Sequence, residues 1–450
     1  MAAECRSQWS GDRGGIVIKV PQPQSQATVS DHWSALIASF LGWTLDAFDF
    51  FLVAFCLTAI AKDFHQSDKA IAFSVTLTLA FRPVGALIFG LLADRYGRRL
   101  PMMIDLIFYS IVEVATGFAP NFTTFLVLRA LFGIGMGGEW GVGASLAMEK
   151  VPPKWRGVLS GLLQEGYALG NLLAALCIWL FLDKWGGRPL FFLGGLPALL
   201  ALFVRTRVKE SEVWQKSKSD SWMLIGKSIS GHWKLFFYLV IFMTGMNFVS
   251  HGTQDMYPTF LKRFWHYDTG QISLISAISM VGAISGGILI GLISDRIGRR
   301  KAITVSLLLG VLVIPLWAYA PRAGLIIVGA FLLQFFAQGA WGVIPAHLSE
   351  LAPDNLRGLL PGFAYQCGVL IAGTVGTLEA VFSEHMSYAT AMAATAATAF
   401  LATALIAALG KEKKGIKFGG LGMDITLALA SSSISSTDKP SSWLSTSVVC

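Results

Sequence analysis

The chain carries few charges for its length. Only 14% of its 450 residues are Asp, Glu, Lys or Arg, and 54% are hydrophobic. A soluble domain is about one quarter charged. With a mean hydropathy of +0.60, this deficit excludes an ordinary soluble protein and favours a chain that crosses a membrane many times.

Cysteine and the short motifs of enzymes are also scarce. The five cysteines are scattered, with neither a CxxC metal spacing nor a disulfide framework. No Walker loop, HExxH pair or nucleophile elbow occurs, so the sequence supports neither an ATP-driven pump nor an enzyme, and predicts no cofactor and no metal. The net charge of +8 comes from short basic runs between apolar segments, which orientation in a membrane explains better than nucleic acid does.

The sequence does contain twelve long apolar segments. They lie at residues 33–61, 70–93, 100–118, 122–147, 158–182, 190–204, 235–261, 272–293, 302–320, 325–348, 359–382 and 388–409. Most are long enough to span a bilayer as a helix, and the sixth needs residues from its flanks. The sequence therefore predicts an all-α integral membrane protein with twelve transmembrane helices.

The remaining residues predict how the chain is divided. We expect a tail at 1–32, a six-helix bundle at 33–204, a linker at 205–234, a second bundle at 235–409 and a disordered tail at 410–450. The tail at 1–32 lacks the apolar stretch of a signal peptide. Lys and Arg are more numerous in the even-to-odd connections, so both tails and the linker are expected in the cytoplasm.

An internal repeat relates the two bundles. Gly90–Arg99 (GLLADRYGRR) recurs as Gly291–Arg300 (GLISDRIGRR), a spacing of 201 residues from Gly90 to Gly291. The same spacing relates Glu149 to Glu350 and Arg156-Gly157 to Arg357-Gly358. Two matching six-helix halves are a transporter architecture, with the substrate site between them near mid-membrane.

The duplicated loop resembles the signature of the major facilitator superfamily, and the resemblance covers about residues 33–409. It implies the fold of that superfamily, with two pseudo-symmetric halves. Charged loop residues are then expected to latch the inner face through charge-assisted hydrogen bonds. The alternative is that the arginines only anchor the loops to anionic lipid. The predicted inner gate comprises Gly90, Asp94, Arg95, Arg98, Arg99, Asp295, Arg296, Arg299 and Arg300.

The seventh apolar segment carries a polar helix face. Its members recur at helical spacing: Asn247, Ser250, His251, Gln254 and Asp255. The stretch resembles the pattern N-x-x-S/T-H-x-S/T-Q-D-x-x-x-T of the lactate/pyruvate–proton permeases, within the sialate–proton symporter family. That resemblance implies substrate binding by Asn247, His251 and Gln254, and proton coupling by His251 and Asp255. The alternative is a polar seam that holds helices together.

Arg82 lies near the middle of the second segment, and its counterpart in the second half is Ala283. A guanidinium at the mid-plane is a natural anchor for a carboxylate, through two parallel hydrogen bonds. The related permeases have an arginine in this segment with that role. The alternative is a permanent salt bridge to Asp46, Asp49 or Glu139.

Other polar residues in apolar segments extend these predictions. Asp46 and Asp49 lie on one side of the first helix and predict proton coupling, because a buried carboxylate can exchange a proton; the alternative is structural pairing. Glu139 is either a second protonation site or a partner of the motif arginines. Glu113 has no evident partner.

Three further side chains are candidates for hydrogen bonds to the substrate. They are Gln164 and Tyr167 in the fifth segment and Gln366 in the eleventh. Each one is equally explained as a packing contact between helices.

The sequence thus predicts a proton-coupled symporter of small monocarboxylates such as lactate and pyruvate. The alternatives are a symporter of sialic acid, aromatic or other carboxylates, and a non-transporting nutrient sensor. The expected partners are a small carboxylate, protons and the lipid bilayer, without nucleic acid. We expect a monomer in the cell membrane, plasma or inner, with both termini cytoplasmic.

Overall fold

The structure is a computed structural model that describes residues 29–219 and 221–419. Every regular element in these two ranges is a helix. The first half contains α1 (Val29–Phe55), α2 (Leu57–Asp63), α3 (Asp68–Tyr96), α4 (Arg99–Gly117), α5 (Phe122–Lys150), α6 (Arg156–Gln164), α7 (Gly166–Trp185) and α8 (Pro197–Arg207). The connection between the halves contains α9 (Glu212–Ser217) and α10 (Trp222–Gly231). The second half contains α11 (Trp233–Gln254), α12 (Tyr257–Phe264), α13 (Thr269–Ile297), α14 (Arg299–Tyr319), α15 (Ala323–Gly342), α16 (Ile344–Leu351), α17 (Leu360–Ala372), α18 (Val375–Ser383) and α19 (Tyr388–Leu409).

Twelve stretches of helix in the described residues are long and apolar enough to cross a membrane. This confirms the predicted fold class. The fifth, seventh, tenth and eleventh spans each consist of two helices, α6–α7, α11–α12, α15–α16 and α17–α18. The sixth span begins with a 3-10 helix at Arg188–Gly195 and continues in α8, so it draws on flanking residues as expected.

The helices satisfy their backbone groups internally and turn apolar side chains outward. Large exposed residues include Trp179 at 78% and Leu312 at 75%. A surface of this kind suits lipid, where a backbone group without an internal partner would cost several kcal/mol. The charged residues buried in the spans therefore face other helices.

Both halves are built around the same close approach of two helices. A Cβ atom on Gly85 of α3 would lie 1.7 Å from the carbonyl oxygen of Ile134 in α5. The equivalent Gly286 of α13 would place one 2.0 Å from the carbonyl oxygen of Phe335 in α15. Only glycine permits these contacts. The sequence repeat is therefore also a repeat in helix packing.

One side of the molecule carries the turns of the duplicated motif, residues 94–99 and 295–300. We name this side the motif face. Twelve crossings place the start of α1 and the end of α19 on the motif face, with α9 and α10 between the halves. The indole nitrogen of Trp214, in α9, donates to the carbonyl of Asp94 at 2.8 Å, so the connection packs directly on a motif turn.

Residues 410–419 differ from the predicted disordered tail. They form a segment, here named the C-terminal strap, that lies along the motif face. Lys414 Nζ donates to the carbonyl of Arg296 at 2.6 Å, and Lys413 Nζ donates to that of Leu351 at 3.3 Å. The carbonyl groups at helix ends need donor partners, and the lysines at the start of the strap supply them. The rest of both predicted tails, residues 1–28 and 420–450, lies outside the described residues.

We expect Gly286→Ala to lower the free energy of unfolding by about 1–3 kcal/mol, because the added methyl group forces α13 away from α15. The control is Gly226→Ala in α10, where an added Cβ meets nothing within 4 Å. Thermal unfolding in detergent measures both variants. Equal melting temperatures would show that this helix contact does not limit stability.

Candidate functional site

Asp94 joins the first motif turn to the opposite half. Its carboxylate accepts hydrogen bonds from the backbone N–H groups of Gly358 at 2.8 Å and Leu359 at 3.0 Å. These groups begin the eleventh span, where the helix dipole favours an anion. Arg98 Nη1 donates to the same carboxylate at 2.6 Å. The first half is thereby hydrogen-bonded to the second.

The second motif turn repeats this arrangement in reverse. Asp295 accepts from the N–H groups of Gly157 at 2.8 Å and Val158 at 3.0 Å, at the start of α6. Arg299 Nη1 donates to Asp295 at 2.7 Å. The two halves therefore hold each other by symmetric caps.

Two buried glutamates complete the network. Glu149 accepts from Arg98 of its own half at 2.9 Å and from Arg357 of the other half at 3.3 Å. Its mate Glu350 accepts from Arg299 at 3.0 Å. Burial alone lowers the pKa of Arg98, but the carboxylates of Glu149 and Asp94 outweigh it and raise that pKa above its ordinary value.

Glu350 also accepts from Arg156 of the first half, at 3.0 Å. The sequence repeat marked Glu149, Glu350, Arg156 and Arg357 as equivalent pairs, although the sequence analysis assigned them no role. Their charge and their constant spacing of 201 residues are the sequence features that could have identified them as gate residues. With both caps formed and both glutamates bridged, the motif face is closed.

The other predicted gate residues have varied surroundings. A Cβ atom on Gly90 would lie 2.8 Å from the Cα atom of Leu359, so Gly90 allows the halves to touch. The remaining arginines serve neighbouring segments: Arg95 donates to the carbonyl of Ser219, Arg99 to that of Arg205 and Arg300 to that of Gly410. At Arg296, the backbone carbonyl accepts from the strap.

Arg82 lies at the centre of the second span, and its side chain is buried, with 3% of the residue exposed. Its Nε and Nη2 atoms have no hydrogen-bond partner among the described residues. No carboxylate of those residues lies within ion-pair distance of it. The alternative of a permanent salt bridge to Asp46, Asp49 or Glu139 is therefore wrong for this conformation.

An aromatic ring of the second half lies beside the guanidinium of Arg82, within a cluster of rings from both halves. Its Cζ atom lies 5.8 Å from the ring centroid of Tyr365 in α17. The Tyr365 ring in turn lies 4.7 Å from Trp140, 5.6 Å from Trp341 and 6.4 Å from Trp43. The indole nitrogen of Trp43 is buried and has no partner within residues 29–219 and 221–419. The arrangement combines unused donors with flat apolar walls.

The three candidate hydrogen-bonding residues are placed differently from one another. Gln164 accepts from the indole nitrogen of Trp140 at 3.2 Å, which is a packing contact. Tyr167 stacks on Trp43 at 5.3 Å and lies within electrostatic reach of Arg82. Both polar atoms of the Gln366 side chain are buried and have no hydrogen-bond partner in the part of the chain that the structure describes. Of these three residues, Gln366 is therefore the one whose donor and acceptor groups are both available to a substrate.

The polar face of α11 serves two purposes. Gln254 donates to Gln334 of α15 at 2.9 Å, which is the predicted seam between helices. Asn247 donates to the carbonyl of Met243 in its own helix at 2.8 Å. His251 and Asp255 instead pair with each other at 3.1 Å, and their side chains are 34% and 46% exposed. This pair is the accessible part of the face.

Buried carboxyl groups collect in the first half. Asp46, Asp49 and Glu139 are each at most 1% exposed, and none has a hydrogen-bond partner among the described residues. Glu139 packs against Gly42 and Gly143, so its alternative role as a partner of the motif arginines is wrong. A fourth such group, Asp105 of α4, was missed by the sequence analysis. Asp105 could have been identified from the sequence, because an aspartate within an apolar segment is rare and costly.

Glu113 does have a partner, which the sequence did not indicate. It forms a buried ion pair with Arg129 of α5, whose Nη2 atom also donates to Thr116 at 2.9 Å. Glu165 and Glu379 were missed as well. Glu165 lies between α6 and α7, against Gly287 of the other half. Glu379 of α18 is 1% exposed, and neither of its carboxylate oxygens has a partner among the described residues.

The chain matches known protein families and relatives along most of its length. The family model described as "Sugar (and other) transporter" matches residues 34–222, and the model described as "Major Facilitator Superfamily" matches residues 256–420. The sialic acid transporter NanX of Escherichia coli K12 is 31% identical over 359 residues, covering 78% of this chain and 87% of that protein. A carboxylic acid transporter protein homolog of Saccharomyces cerevisiae is 28% identical, covering 87% of this chain and 70% of that protein.

The fold is also found among solved structures. The proton:xylose symporter XylE, bound to 6-bromo-6-deoxy-D-glucose, superposes with a TM-score of 0.69 at 18% identity, covering 88% of this chain and 99% of that chain. The predicted resemblance is thereby confirmed at the level of the superfamily. The chain belongs to the major facilitator superfamily and is a membrane transporter, not an enzyme.

Proposed function

We propose that this protein is a proton-coupled symporter of small monocarboxylates such as lactate and pyruvate. The observation that carries the proposal is the free edge of the Arg82 guanidinium. Nε and Nη2 point to the same side of that planar group, so their N–H groups match the two oxygens of one carboxylate. A buried fork of this kind, at mid-membrane and between two halves, suits an exchangeable anion.

Electrostatics support the same assignment. A buried cation without a countercharge is costly, and a carboxylate substrate would supply the missing charge. Asp46 lies within electrostatic reach of Arg82 without forming an ion pair. The gain from substrate binding is therefore not cancelled by the loss of an existing salt bridge. The unpaired amide of Gln366 offers further hydrogen bonds to a hydroxyl or keto group.

Proton coupling is proposed from the unpaired carboxyl groups Asp46, Asp49, Glu139 and Asp105. Such groups can bind and release protons as the helices around them move, since ionisation inside an apolar bundle requires water or a cation nearby. The exposed pair His251 and Asp255 is proposed as the second part of the coupling site, and it lies beyond the middle of the seventh span as counted from the motif face. Protons and substrate would then share one pathway.

Larger or unsaturated carboxylates are the second candidate substrates. The ring of Tyr365 lies beside Arg82 and is itself packed against Trp43, Trp140 and Trp341. Aromatic surfaces of this kind stack well on planar groups. One relative is named as a sialic acid transporter and another as a carboxylic acid transporter protein homolog. The carboxylate is common to both candidates, and the aromatic walls favour the second.

Transport is proposed to proceed by alternating access in the cell membrane, with the motif face and both termini towards the cytoplasm. The basic residues of the motif turns fit that orientation. While the motif face is closed, substrate would approach from the opposite, outer side, where His251 and Asp255 are exposed. Separation of the two caps would then release it inward. We propose that one chain suffices for this cycle.

We expect Arg82→Lys to weaken lactate binding by roughly 1.5–3 kcal/mol, because the charge is kept but the planar fork is lost. Arg82→Ala should abolish uptake while the protein still folds. Calorimetry in detergent and uptake into vesicles measure the two effects, with a panel of lactate, pyruvate, sialic acid and benzoate. The control is Arg322→Ala, an exposed arginine in a loop.

Normal lactate binding by Arg82→Ala, together with a lower melting temperature, would make Arg82 a structural residue and place the anion site elsewhere. Tighter binding of benzoate or sialic acid than of lactate by the unchanged protein would favour the second candidate.

We expect an imposed pH gradient, acid outside, to drive uptake, and Asp46→Asn to abolish that accumulation while substrate exchange across the membrane persists. The neutral amide cannot release a proton, so exchange remains possible but coupling is lost. The control is Asp63→Asn, an exposed residue at the end of α2. Uptake driven by sodium at constant pH would contradict proton coupling.

We expect Asp94→Asn to weaken closure of the motif face by about 2–3 kcal/mol, because the cap at Gly358 and Leu359 loses its charge. Turnover should change more than substrate affinity, since Asp94 lies about 18 Å from Arg82 along α3. Asp295→Asn should act in the same direction. Loss of binding with unchanged exchange rates would show that Asp94 is not a latch.

A further inference from the structure

The C-terminal strap reaches the centre of the closed gate. The N–H group of Gly415 donates to Glu350 at 3.3 Å, and that of Gly419 donates to Asp354 at 2.8 Å. Arg156 of the first half donates to the carbonyl of Ile416 at 3.1 Å. The strap belongs in sequence to the second half, so this last contact joins it to the opposite half.

Phe418 makes the most notable contacts of the strap. The Cζ atom of Arg156 lies 3.8 Å from the centroid of its ring, and the Cζ atom of Arg357 lies 3.7 Å from it. These distances are well inside the range of a cation–π interaction, which extends to about 6 Å. One ring therefore contacts a gate arginine from each half.

The two arginines face each other as like charges. They affect each other electrostatically, and each bonds to a glutamate of the opposite half. The face of an aromatic ring is electron-rich, so a phenyl group that contacts both guanidiniums offsets their repulsion. It can do so only while the two halves are close together.

We propose that Phe418 is a positioning residue of the transport cycle, which holds Arg156 and Arg357 together and so stabilises the closed motif face. The contacts of the strap with Arg156 must break when the halves separate. The ring therefore contributes to the ratio between the two conformations and to the rate of opening. The inference rests on the proposed alternating access, but not on the substrate or on proton coupling.

The test measures the distance between the halves directly. Spin labels at Lys154→Cys in the first half and Lys301→Cys in the second report the separation at the motif face by pulsed electron resonance, in a background with the native cysteines replaced by alanine. No substrate and no gradient are needed, so failure here is distinct from failure of the proposed symport. Both labelled positions are exposed.

We expect Phe418→Ala and Phe418→Leu to raise the ratio of open to closed molecules by about tenfold, because the cation–π contact to Arg156 of the opposite half, which only the closed face allows, is lost. Phe418→Trp keeps an aromatic face and should retain the distribution of the unchanged protein. The control is Lys417→Ala, an exposed neighbour. The melting temperature of all four variants is measured as well, so that a general loss of stability is distinguished from a shift between conformations.

An unchanged distance distribution in Phe418→Ala would overturn the proposal. A distribution for Phe418→Leu equal to that of the unchanged protein would overturn it too, since packing alone would then explain the contact. If Phe418→Ala does not fold, the leucine variant, which keeps most of the volume, decides the question together with the tryptophan variant.

Discussion

A charge inside a membrane protein is costly unless a partner neutralises it or water reaches it, and this constraint organises the molecule. On the motif face, ion-pair partners neutralise the buried charges. The buried Arg98, Arg156, Arg299 and Arg357 all have carboxylates within ion-pair distance. At mid-membrane, no carboxylate of the described residues lies within ion-pair distance of Arg82. Arg82 keeps free N–H groups there, which is the reason to seek a ligand at that point.

The two regions therefore have different tasks although they use similar residues. The network of the motif face is fully satisfied and fixes how the halves meet. At mid-membrane, Arg82 and carboxyl groups such as Asp46 have unpaired atoms among the described residues, which is the basis for proposing ion exchange there. The bundle holds them at a distance because close-packed helix pairs, such as α13 against α15, set their positions.

Much of this could be predicted from the sequence. Apolar length is enough to find twelve spans, and the repeat from Gly90 to Gly291 implies two similar halves. Asp94 and Arg98 were recognised because charge and glycine recur at fixed spacing. The bond between Arg357 and Glu149 was not, since these residues are 208 positions apart and periodicity does not show which groups cross between halves.

The sequence pattern alone also does not identify which side chains bond to each other. A polar face on α11 was evident, but the sequence does not show that Gln254 bonds to Gln334 whereas His251 turns to Asp255. The pairing of Glu113 with Arg129 depends on the packing of α4 against α5. The C-terminal strap was misjudged because its composition is that of a flexible tail, and its order comes from partners supplied by the folded bundle.

The two shared glutamates have a consequence for how the gate responds to membrane voltage. In the first half Asp94 and Glu149 balance Arg98 and Arg156, and in the second Asp295 and Glu350 balance Arg299 and Arg357. When the halves separate, each set of four side chains stays neutral by itself, and each glutamate keeps the arginine of its own half. In the proposed cycle, separation of the halves would therefore move little net charge of this network through the electric field, where one elementary charge is worth about 2.3 kcal/mol at 100 mV. The voltage would then act on charges outside the network.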